Sequence, residues 1–208
     1  MRPRLFWPGS EPPPASPRSA YAATGRRLLL PKALPLAVQR LSAEDPAGPD
    51  PGEAGAGDRE FAAFLYGRRG AADRPDIVHG LVVPDQARGA RSYSVSADAV
   101  ADAASVTRAR GWVAVAQVHS HPGRDVEHSW YDDENAISTR VVSIVVPGYA
   151  RSPADPRSWL DAAGVHEFQD GWWHLLTGSA RRRRVSFADL PLEVVDLRLP
   201  RPRPPEIR

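Results

Sequence analysis

Apolar residues recur along the chain in short blocks, and their spacing separates predicted helices from predicted strands. Leu34, Val38 and Leu41 recur at i, i+4 and i+7, which gives a helix one apolar face. Pro35 suits the first turn of that helix. The apolar run at 28–30 just before it predicts a short strand, so ordered structure is expected to begin near residue 28.

Runs of strand length, bounded by Gly, Pro and polar residues, make up most of the remaining pattern. The predicted strands are Glu60–Tyr66, Ile77–Val83, Ser92–Val95, Trp112–Val118, Val141–Val146, Gly164–Phe168 and Trp172–Leu176. A turn at Gln169–Gly171 would join the last two as a hairpin. An alanine-rich helix is predicted between Ser96, a typical N-cap, and Gly111, a typical stop. This order of elements predicts an α/β (α+β) fold, a mixed β-sheet flanked by helices.

Composition divides the chain into three segments. Residues 1–27 hold six prolines in the first seventeen positions and are predicted to be a disordered Pro/Arg-rich tail. The alternative is a docking segment anchored by Phe6 and Trp7. Residues 28–180 would form the folded domain, and residues 181–208 an Arg/Pro-rich C-terminal extension.

Two charged stretches carry no predicted chemistry. Residues 44–58 contain five acids among Gly, Pro and Ala, and are predicted to be a flexible loop. Arg181–Arg184 is a basic run that is predicted to be a solvated loop, and the alternative is contact with phosphate or an acidic partner. Aromatic residues do not interleave with this run, so nucleic acid is not expected as a partner.

The overall composition narrows the class of protein. Lys and Arg number 27 against 25 Asp and Glu, so the net charge is only +2. The absence of cysteine excludes disulfides, thiolate metal sites and a cysteine nucleophile. Apolar runs stay well short of the roughly 20 residues that span a bilayer, and the start of the chain lacks the apolar segment of a secretory signal. A cytoplasmic protein without a membrane partner is therefore expected.

One short stretch carries the densest candidate chemistry. His119 and His121 stand at i and i+2 at the end of a predicted strand, so their side chains point to the same side. Pro122-Gly123 turns the chain, and a short helix is predicted to begin at Ser129. Asp132 could then return a carboxylate to the same metal ion. Two His and one Asp, with water as the fourth ligand, form the open type of zinc site that supports catalysis.

Alternative interpretations exist for several of these residues. Ser129 and Asp132 also fit an ordinary helix start, in which Ser caps and the acid occupies the third position. The two interpretations are compatible, because a cap would hold Asp132 rigidly. Asp133 and His128 are adjacent alternatives to Asp132, and spacing favours Asp132. Three further histidines in strand-like runs are predicted to be packed or surface residues: His79, His166 and His174.

The pattern His-x-His-Pro followed by Ser-x-x-Asp resembles the JAMM motif of the JAB1/MPN/Mov34 metalloproteases. His119, His121, Ser129 and Asp132 fit it without a gap. The segment from Glu60 to Gly67 resembles the early strand of that family, with its leading glutamate. The resemblance covers roughly residues 28 to 176 and is closest to prokaryotic-type JAB domains. It implies a curved mixed sheet of the JAB1/MPN type.

The resemblance and the chemistry of the residues give each of them a role. His119, His121 and Asp132 would bind Zn²⁺, the expected cofactor. Glu60 would act as the general base, and Ser129 would donate a hydrogen bond to the developing oxyanion. The remaining candidate bases fall in the Gly/Pro-rich loop, which cannot position them well: Glu44 and Glu53.

The resemblance implies a zinc-dependent peptidase or isopeptidase. Its expected substrate is the amide bond after the C-terminal glycine of a ubiquitin-like modifier, in deubiquitinase-like deconjugation or in processing. The alternatives are a peptidase acting on a sulfur-carrier protein in cysteine or cofactor synthesis, and a catalytically silent MPN scaffold, against which the complete ligand set argues. E1-like and E2-like enzymes of the same pathway are the other expected partners.

Overall fold

The structure, a computed structural model, describes residues 23–44, 58–71 and 73–198. The first 22 residues of the predicted disordered segment, residues 1–27, lie outside these ranges. The two possible aromatic anchors, Phe6 and Trp7, are among them. Most of the predicted flexible loop at 44–58 also lies outside the described residues.

The end of the predicted tail belongs to the folded part. The backbone nitrogen and hydroxyl of Thr24 donate hydrogen bonds to the Glu167 carboxylate over 3.2 and 3.3 Å. The carbonyl of Arg27 accepts a hydrogen bond from the backbone nitrogen of Asp76 over 2.9 Å. The prediction of disorder therefore extended too far along the chain, because local composition does not reveal hydrogen-bond partners that are distant in sequence.

Strands dominate the described residues. The strands are β1 Leu28–Pro31, β2 Ala62–Arg68, β3 Asp76–Val83, β4 Ala87–Gly89, β5 Ser92–Ser94, β6 Val113–Ser120, β7 Val142–Val146, β8 Gly164–Gln169, β9 Trp172–Leu176, β10 Val185–Ala188 and β11 Glu193–Asp196. The helices are α1 Leu34–Ala43, α2 Ala97–Arg108, α3 Trp130–Asn135, α4 Pro156–Ala162 and α5 Gly178–Arg184, with a 3-10 turn at Gly148–Ala150.

Within the described ranges, nine strands form one mixed sheet in the order β10-β1-β3-β2-β6-β7-β8-β9, and β11 also pairs with β3. The pairs β1–β10, β1–β3, β11–β3 and β6–β7 are parallel, and the other pairs are antiparallel. The short hairpin β4–β5 stands apart. The predicted mixed α+β architecture is confirmed.

Helices cover both faces of the sheet, and strand alternation explains why. In β2, Ala63 and Leu65 point into the larger core, whereas Phe64 and Tyr66 point into the core beneath α2. The apolar face of α1 and the buried Trp159 of α4 complete the larger core. Both predicted early helices are present, and the Ser96 side chain caps α2 as expected.

The β8–β9 hairpin also follows its sequence signal. Gln169 pairs with Trp172, which leaves Asp170 and Gly171 as the two central turn residues. Both have positive φ, 51° and 89°, as the favoured two-residue hairpin turn requires.

The basic run forms the end of helix α5, so the prediction of a solvated loop there is wrong. Arg184 is 5% exposed and forms an ion pair with Glu167 at 3.4 Å. Arg181 donates hydrogen bonds to the carbonyls of Asp161 and Ala163, each over 3.1 Å. Partners on other elements, 17 to 20 residues away, thus hold Arg181 and Arg184, which the local sequence suggested were solvated.

Strands β10 and β11 both follow the boundary that was predicted after residue 180. Val185 is fully buried and pairs with Leu28, and β11 pairs with β3 from Glu193 to Asp196. The predicted domain boundary therefore lies inside the sheet. The Arg/Pro-rich composition concealed two strands of only four residues each. None of the helices in the described ranges is long and apolar enough to cross a membrane.

Candidate active site

Strand β6 carries the histidine pair into the middle of the sheet. His119 pairs with Ala62 of β2 on one side and with Val145 of β7 on the other. His121 directly follows the strand, and its backbone nitrogen donates to the carbonyl of Val146 over 2.9 Å. Their positions at i and i+2 put both imidazoles on one face, as strand alternation predicts.

Helix α3 brings the third donor to the same place. Ser129 is the N-cap of α3, and its hydroxyl accepts a hydrogen bond from the backbone nitrogen of Asp132. In return, the backbone nitrogen of Ser129 donates to the Asp132 carboxylate over 2.7 Å. The structure thus contains the capping box expected from the sequence, and this cap fixes the carboxylate.

The three donor side chains converge closely. The Nε2 atoms of His119 and His121 lie 3.3 Å apart. Asp132 Oδ1 lies 3.3 Å from His119 Nε2, and Asp132 Oδ2 lies 3.3 Å from His121 Nε2. Donor atoms about 2.0–2.1 Å from a tetrahedral zinc ion lie about 3.3–3.4 Å apart, so these three side chains fit Zn²⁺.

Backbone contacts and burial prepare the two imidazoles as ligands. The Nδ1 atom of His121 lies 3.2 Å from the carbonyl of Asp125, to which it can donate a proton, and this leaves Nε2 free for a metal. His119 is 1% exposed, and burial lowers its pKa to about 4. Burial thus favours a neutral His119 ring, and the Asp125 contact directs the Nε2 lone pair of His121 towards the cluster; the neutral imidazole is the form that binds metal.

The Asp132 carboxylate is strongly stabilised as an anion. Burial alone would raise its pKa, but hydrogen bonds from His119, His121 and Ser129 outweigh burial and hold the pKa well below its usual range. Burial lowers the pKa of His121, yet the hydrogen bond and charge of Asp132 more than compensate, so the net shift is upward. The carboxylate is therefore ready to bind a cation over the whole physiological pH range.

Glu60 lies in the wall of the same cleft, two residues before β2 and not within the strand that the sequence predicted. Its backbone is fixed on both sides: the nitrogen donates to Gly89 over 2.8 Å, and the carbonyl accepts from Arg88 Nε over 2.8 Å. The next residue, Phe61, exchanges hydrogen bonds with Ser120 of β6. These contacts align Glu60 with the histidine pair.

The electrostatic surroundings of Glu60 suit a general base. Burial is the largest influence on its pKa and raises it to about 7. The nearby positive charges of His121 and Arg91 lower the pKa, and the negative charge of Asp132 raises it. A carboxylate whose pKa lies near neutrality can take up and release a proton at physiological pH.

These residues surround an open cleft of about 570 Å³. Its lining residues are Glu60, Arg91, His121, Pro122, Gly123, Asp125, Glu127, His128, Ser129, Tyr131 and Asp132. His119, the remaining member of the ligand cluster, is buried and is not among the lining residues. The structure therefore brings together all five sequence-predicted site residues, and their catalytic and metal-binding roles remain predictions.

The alternatives weighed at the sequence level lie elsewhere or form other bonds. Asp133 and His128 bond to each other at 2.9 Å and stand outside the three-residue cluster. The side chain of Glu44 is exposed, and Glu53 lies outside the described residues. His166 and His174 are buried in strands, as expected of packed histidines.

Sequence reasoning missed three neighbours of the cluster. Arg91 and Tyr131 line the cleft, and the buried ring of Tyr93 lies 5.5 Å from the His119 ring. Tyr131 lies between Ser129 and Asp132 in the sequence motif, so its position could have suggested that it lies near the site. Arg91 and Tyr93 come from the β4–β5 hairpin, whose position over the cleft no local pattern indicates.

Comparison with known proteins defines the class. A family model of prokaryotic homologs of the JAB domain matches residues 53–161, slightly more than half of the chain, and this range contains all five predicted site residues. The chain belongs to this family of JAB domains.

A curated relative is the "Probable metalloprotease y4jG" of Sinorhizobium fredii (strain NBRC 101917 / NGR234). The two sequences are 50% identical over 48 residues, which are 22% of this chain and 29% of that protein. The chain therefore matches less than a third of that relative's length.

Two solved structures align with the chain, and one of them supports the fold. The solution structure of a protein from Desulfitobacterium hafniense aligns with a TM-score of 0.52 at 15% identity, covering 79% of this chain and 94% of that one. A JAB1/MPN domain protein from Archaeoglobus fulgidus aligns with a TM-score of 0.37 at 17% identity, covering 83% and 98%. The likeness to the Desulfitobacterium protein shows a shared fold.

Proposed function

We propose that this protein is a zinc-dependent peptidase or isopeptidase that hydrolyses the amide bond after the C-terminal glycine of a ubiquitin-like modifier. The observation that carries the proposal is a set of three side chains, His119, His121 and Asp132, whose facing donor atoms lie 3.3 Å apart in each pair, beside a carboxylate whose pKa is about 7. The name of the Sinorhizobium relative, a probable metalloprotease, supports the same reaction class.

The metal would be held by His119, His121 and Asp132. Zn²⁺ in such a site supplies Lewis acidity, which activates water and polarises a carbonyl. The donor set leaves part of the coordination sphere for water and substrate, as catalytic zinc sites do and structural sites do not.

Glu60 would move the proton. Its carboxylate accepts a proton from the attacking water as the new C–O bond forms, and it then donates that proton to the leaving amine as the C–N bond breaks. One water is consumed, and one carboxylate and one protonated amine are released. No covalent enzyme intermediate is required.

Ser129 would stabilise charge without acting as a nucleophile. Its neighbour Asp132 has a pKa far below the usual range and is a poor base for activating a hydroxyl. Ser129 lines the cleft, and its hydroxyl, which donates to Asp132 Oδ2 over 2.7 Å, would turn from that oxygen to donate a hydrogen bond to the oxyanion that forms on the scissile carbonyl.

The proposed substrate follows from the family resemblance and from the cleft. A terminal glycine, which has no Cβ, lets the peptide backbone approach the donor cluster and Ser129 closely. Trp130, which follows Ser129, is 71% exposed and could contact the folded part of a protein substrate.

The test is cleavage of fusion proteins by zinc-loaded protein. Fusions of a ubiquitin-like protein and of a sulfur-carrier protein, each joined through its terminal glycine, should be compared with matched fusions in which that glycine is valine. We expect cleavage after glycine, and at least 10²-fold slower cleavage after valine, because a displaced carbonyl loses alignment. A chelator and the Glu60→Gln variant should both abolish it.

The outcomes separate the alternatives. Preferential cleavage of the sulfur-carrier fusion would assign the second substrate class. If the zinc-loaded protein cleaves no fusion, the proposed peptidase function is wrong and a scaffold role gains support.

A further inference from the structure

A histidine in the wall of the proposed catalytic cleft has none of the roles assigned there. The side chain of His128 is 4% exposed, and both of its ring nitrogens are bonded. Nδ1 lies 2.9 Å from Asp133 Oδ1 of helix α3, and Nε2 lies 2.9 Å from Ser143 Oγ of strand β7. The ring therefore bridges the helix and the sheet.

The hydrogen bonds around this ring form a directed chain. The amide nitrogen of Gln117 donates to Ser143 Oγ over 3.1 Å, so the Ser143 hydroxyl is free to donate to His128 Nε2. His128 Nδ1–H then donates to the Asp133 carboxylate. Each donor meets an acceptor, which fixes the tautomer and the orientation of the ring.

The same amide also holds the far end of α3. The side-chain oxygen of Gln117 accepts a hydrogen bond from the backbone nitrogen of Ile137 over 2.9 Å. Gln117 stands two residues before His119 on β6, so its side chain shares the face of the metal-binding pair. The segment after the short helix is thus bonded directly to the strand that carries His119, and the segment before it is bonded to that strand through Ser143.

Ring stacking restricts His128 further. The His166 ring stacks on it with centroids 4.0 Å apart, and the Trp173 ring lies 5.2 Å away. His166 is 2% exposed, and neither of its ring nitrogens has a partner among the described residues. Its role here is that of a flat surface against which His128 is held.

We infer that His128 is a positioning residue: it fixes the start of α3, and with it Ser129 and Asp132, at the distance from His119 that a metal ion requires. The inference rests on the proposed function, because it assumes that these side chains bind the catalytic metal. His128 directly precedes Ser129, and its partner Asp133 directly follows Asp132, so a shift of this ring moves both.

The test measures cobalt binding, which needs no substrate. Apo protein is titrated with Co²⁺, and both the dissociation constant and the visible d–d spectrum are recorded for the wild type and for His128→Ala, His128→Asn, His128→Gln and Ser143→Ala. Asn can replace the Nδ1 contact to Asp133, and Gln can replace the Nε2 contact to Ser143. His79→Ala is the matched control, because His79 stacks on Trp112 at 6.0 Å, away from the site.

We expect His128→Ala to weaken Co²⁺ binding 10- to 100-fold and to change the spectrum, the usual effect of losing a group that orients a ligand. His128→Asn and His128→Gln should each restore part of the affinity, and His79→Ala should match the wild type. If peptidase activity is present, kcat should fall while KM changes little.

Several results would overturn the inference. Unchanged Co²⁺ affinity and spectrum in folded variants, even with a lower melting temperature, would show a merely structural role. If His128→Ala does not fold, Ser143→Ala and the two conservative variants decide the matter in the same way. A wild type that binds no Co²⁺ contradicts both proposals, whereas one that binds Co²⁺ but cleaves no substrate defeats only the proposed function.

Discussion

The Ser129 hydroxyl donates a hydrogen bond to Asp132 Oδ2 over 2.7 Å, so the residue assigned to the oxyanion also holds a proposed metal ligand. The same carboxylate oxygen also accepts a hydrogen bond from the backbone nitrogen of Ser129. One serine thus links the start of a six-residue helix, the orientation of a ligand and the stabilisation of charge.

Replacing Ser129 should therefore affect both binding and catalysis. For Ser129→Ala we expect a loss of helix stability of about 1 kcal/mol from the missing cap, weaker zinc binding, and a rate reduced by about 10²-fold. Ser129→Thr, which keeps a hydroxyl, should lose less of each. Zinc titration and kcat, measured on the same samples, check this. A rate loss with unchanged zinc affinity would mean that the Ser129–Asp132 bond is not needed to orient the ligand.

The pH dependence should report Glu60. A general base must be deprotonated, so kcat/KM should rise with pH through the pKa of Glu60, which burial raises to about 7. A bound cation favours the carboxylate, which places the midpoint in the loaded enzyme at or below that value. The ascending limb should disappear in Glu60→Gln along with most of the activity. A limb that persists in the residual activity of that variant would assign the proton transfer to another group.

Arg91 should set the pH at which kcat/KM rises. Its positive charge lowers the pKa of Glu60, so Arg91→Ala should move the limb to higher pH. Because Arg91 is exposed, the expected shift is roughly half a pH unit, equivalent to about 0.7 kcal/mol. Arg124→Ala is the matched control, since this exposed arginine does not line the cleft. Equal shifts in both variants would indicate a general charge effect and not a specific contact.

The loop before α3 rests directly on strand β8, and a glycine permits this. A Cβ built on Gly164 would lie 2.3 Å from the carbonyl oxygen of Val126. Gly164→Ala should force the loop away and lower the free energy of unfolding by about 1–3 kcal/mol. Gly123→Ala, in the same loop, meets no atom closer than 4.0 Å and should change stability little. Urea unfolding of both variants tests this, and equal stabilities would show that the loop relaxes freely.

The sequence predicted which site residues come together more completely than it predicted the surrounding strands and ion pairs. The spacing of His119, His121, Ser129 and Asp132 is a local property, because strand alternation and a helix cap fix where those side chains point. The partners of Arg181 and Arg184 could not be predicted in this way, since they lie on distant elements. Four-residue strands such as β10 carry too few residues to show a period.

Exposure of Trp130 gives a prediction about substrate binding. This residue is 71% exposed and contacts Tyr131, a lining residue of the cleft, edge to face at 5.9 Å. Trp130→Ala should raise KM for a protein substrate by about 10-fold or more, with little change in kcat. Leu36→Ala removes another exposed apolar side chain, 49% exposed on α1, and should leave KM unchanged. Equal effects of the two variants would argue against a substrate contact at Trp130.

Anomalous X-ray diffraction at the zinc absorption edge tests the central claim most directly. Crystals of protein purified with zinc should show one strong peak about 2.0–2.2 Å from His119 Nε2, His121 Nε2 and one oxygen of Asp132. Crystals of the His119→Ala/His121→Ala double variant should show no peak there. A zinc peak bound by other residues, or its persistence in the double variant, would contradict the assignment of this site.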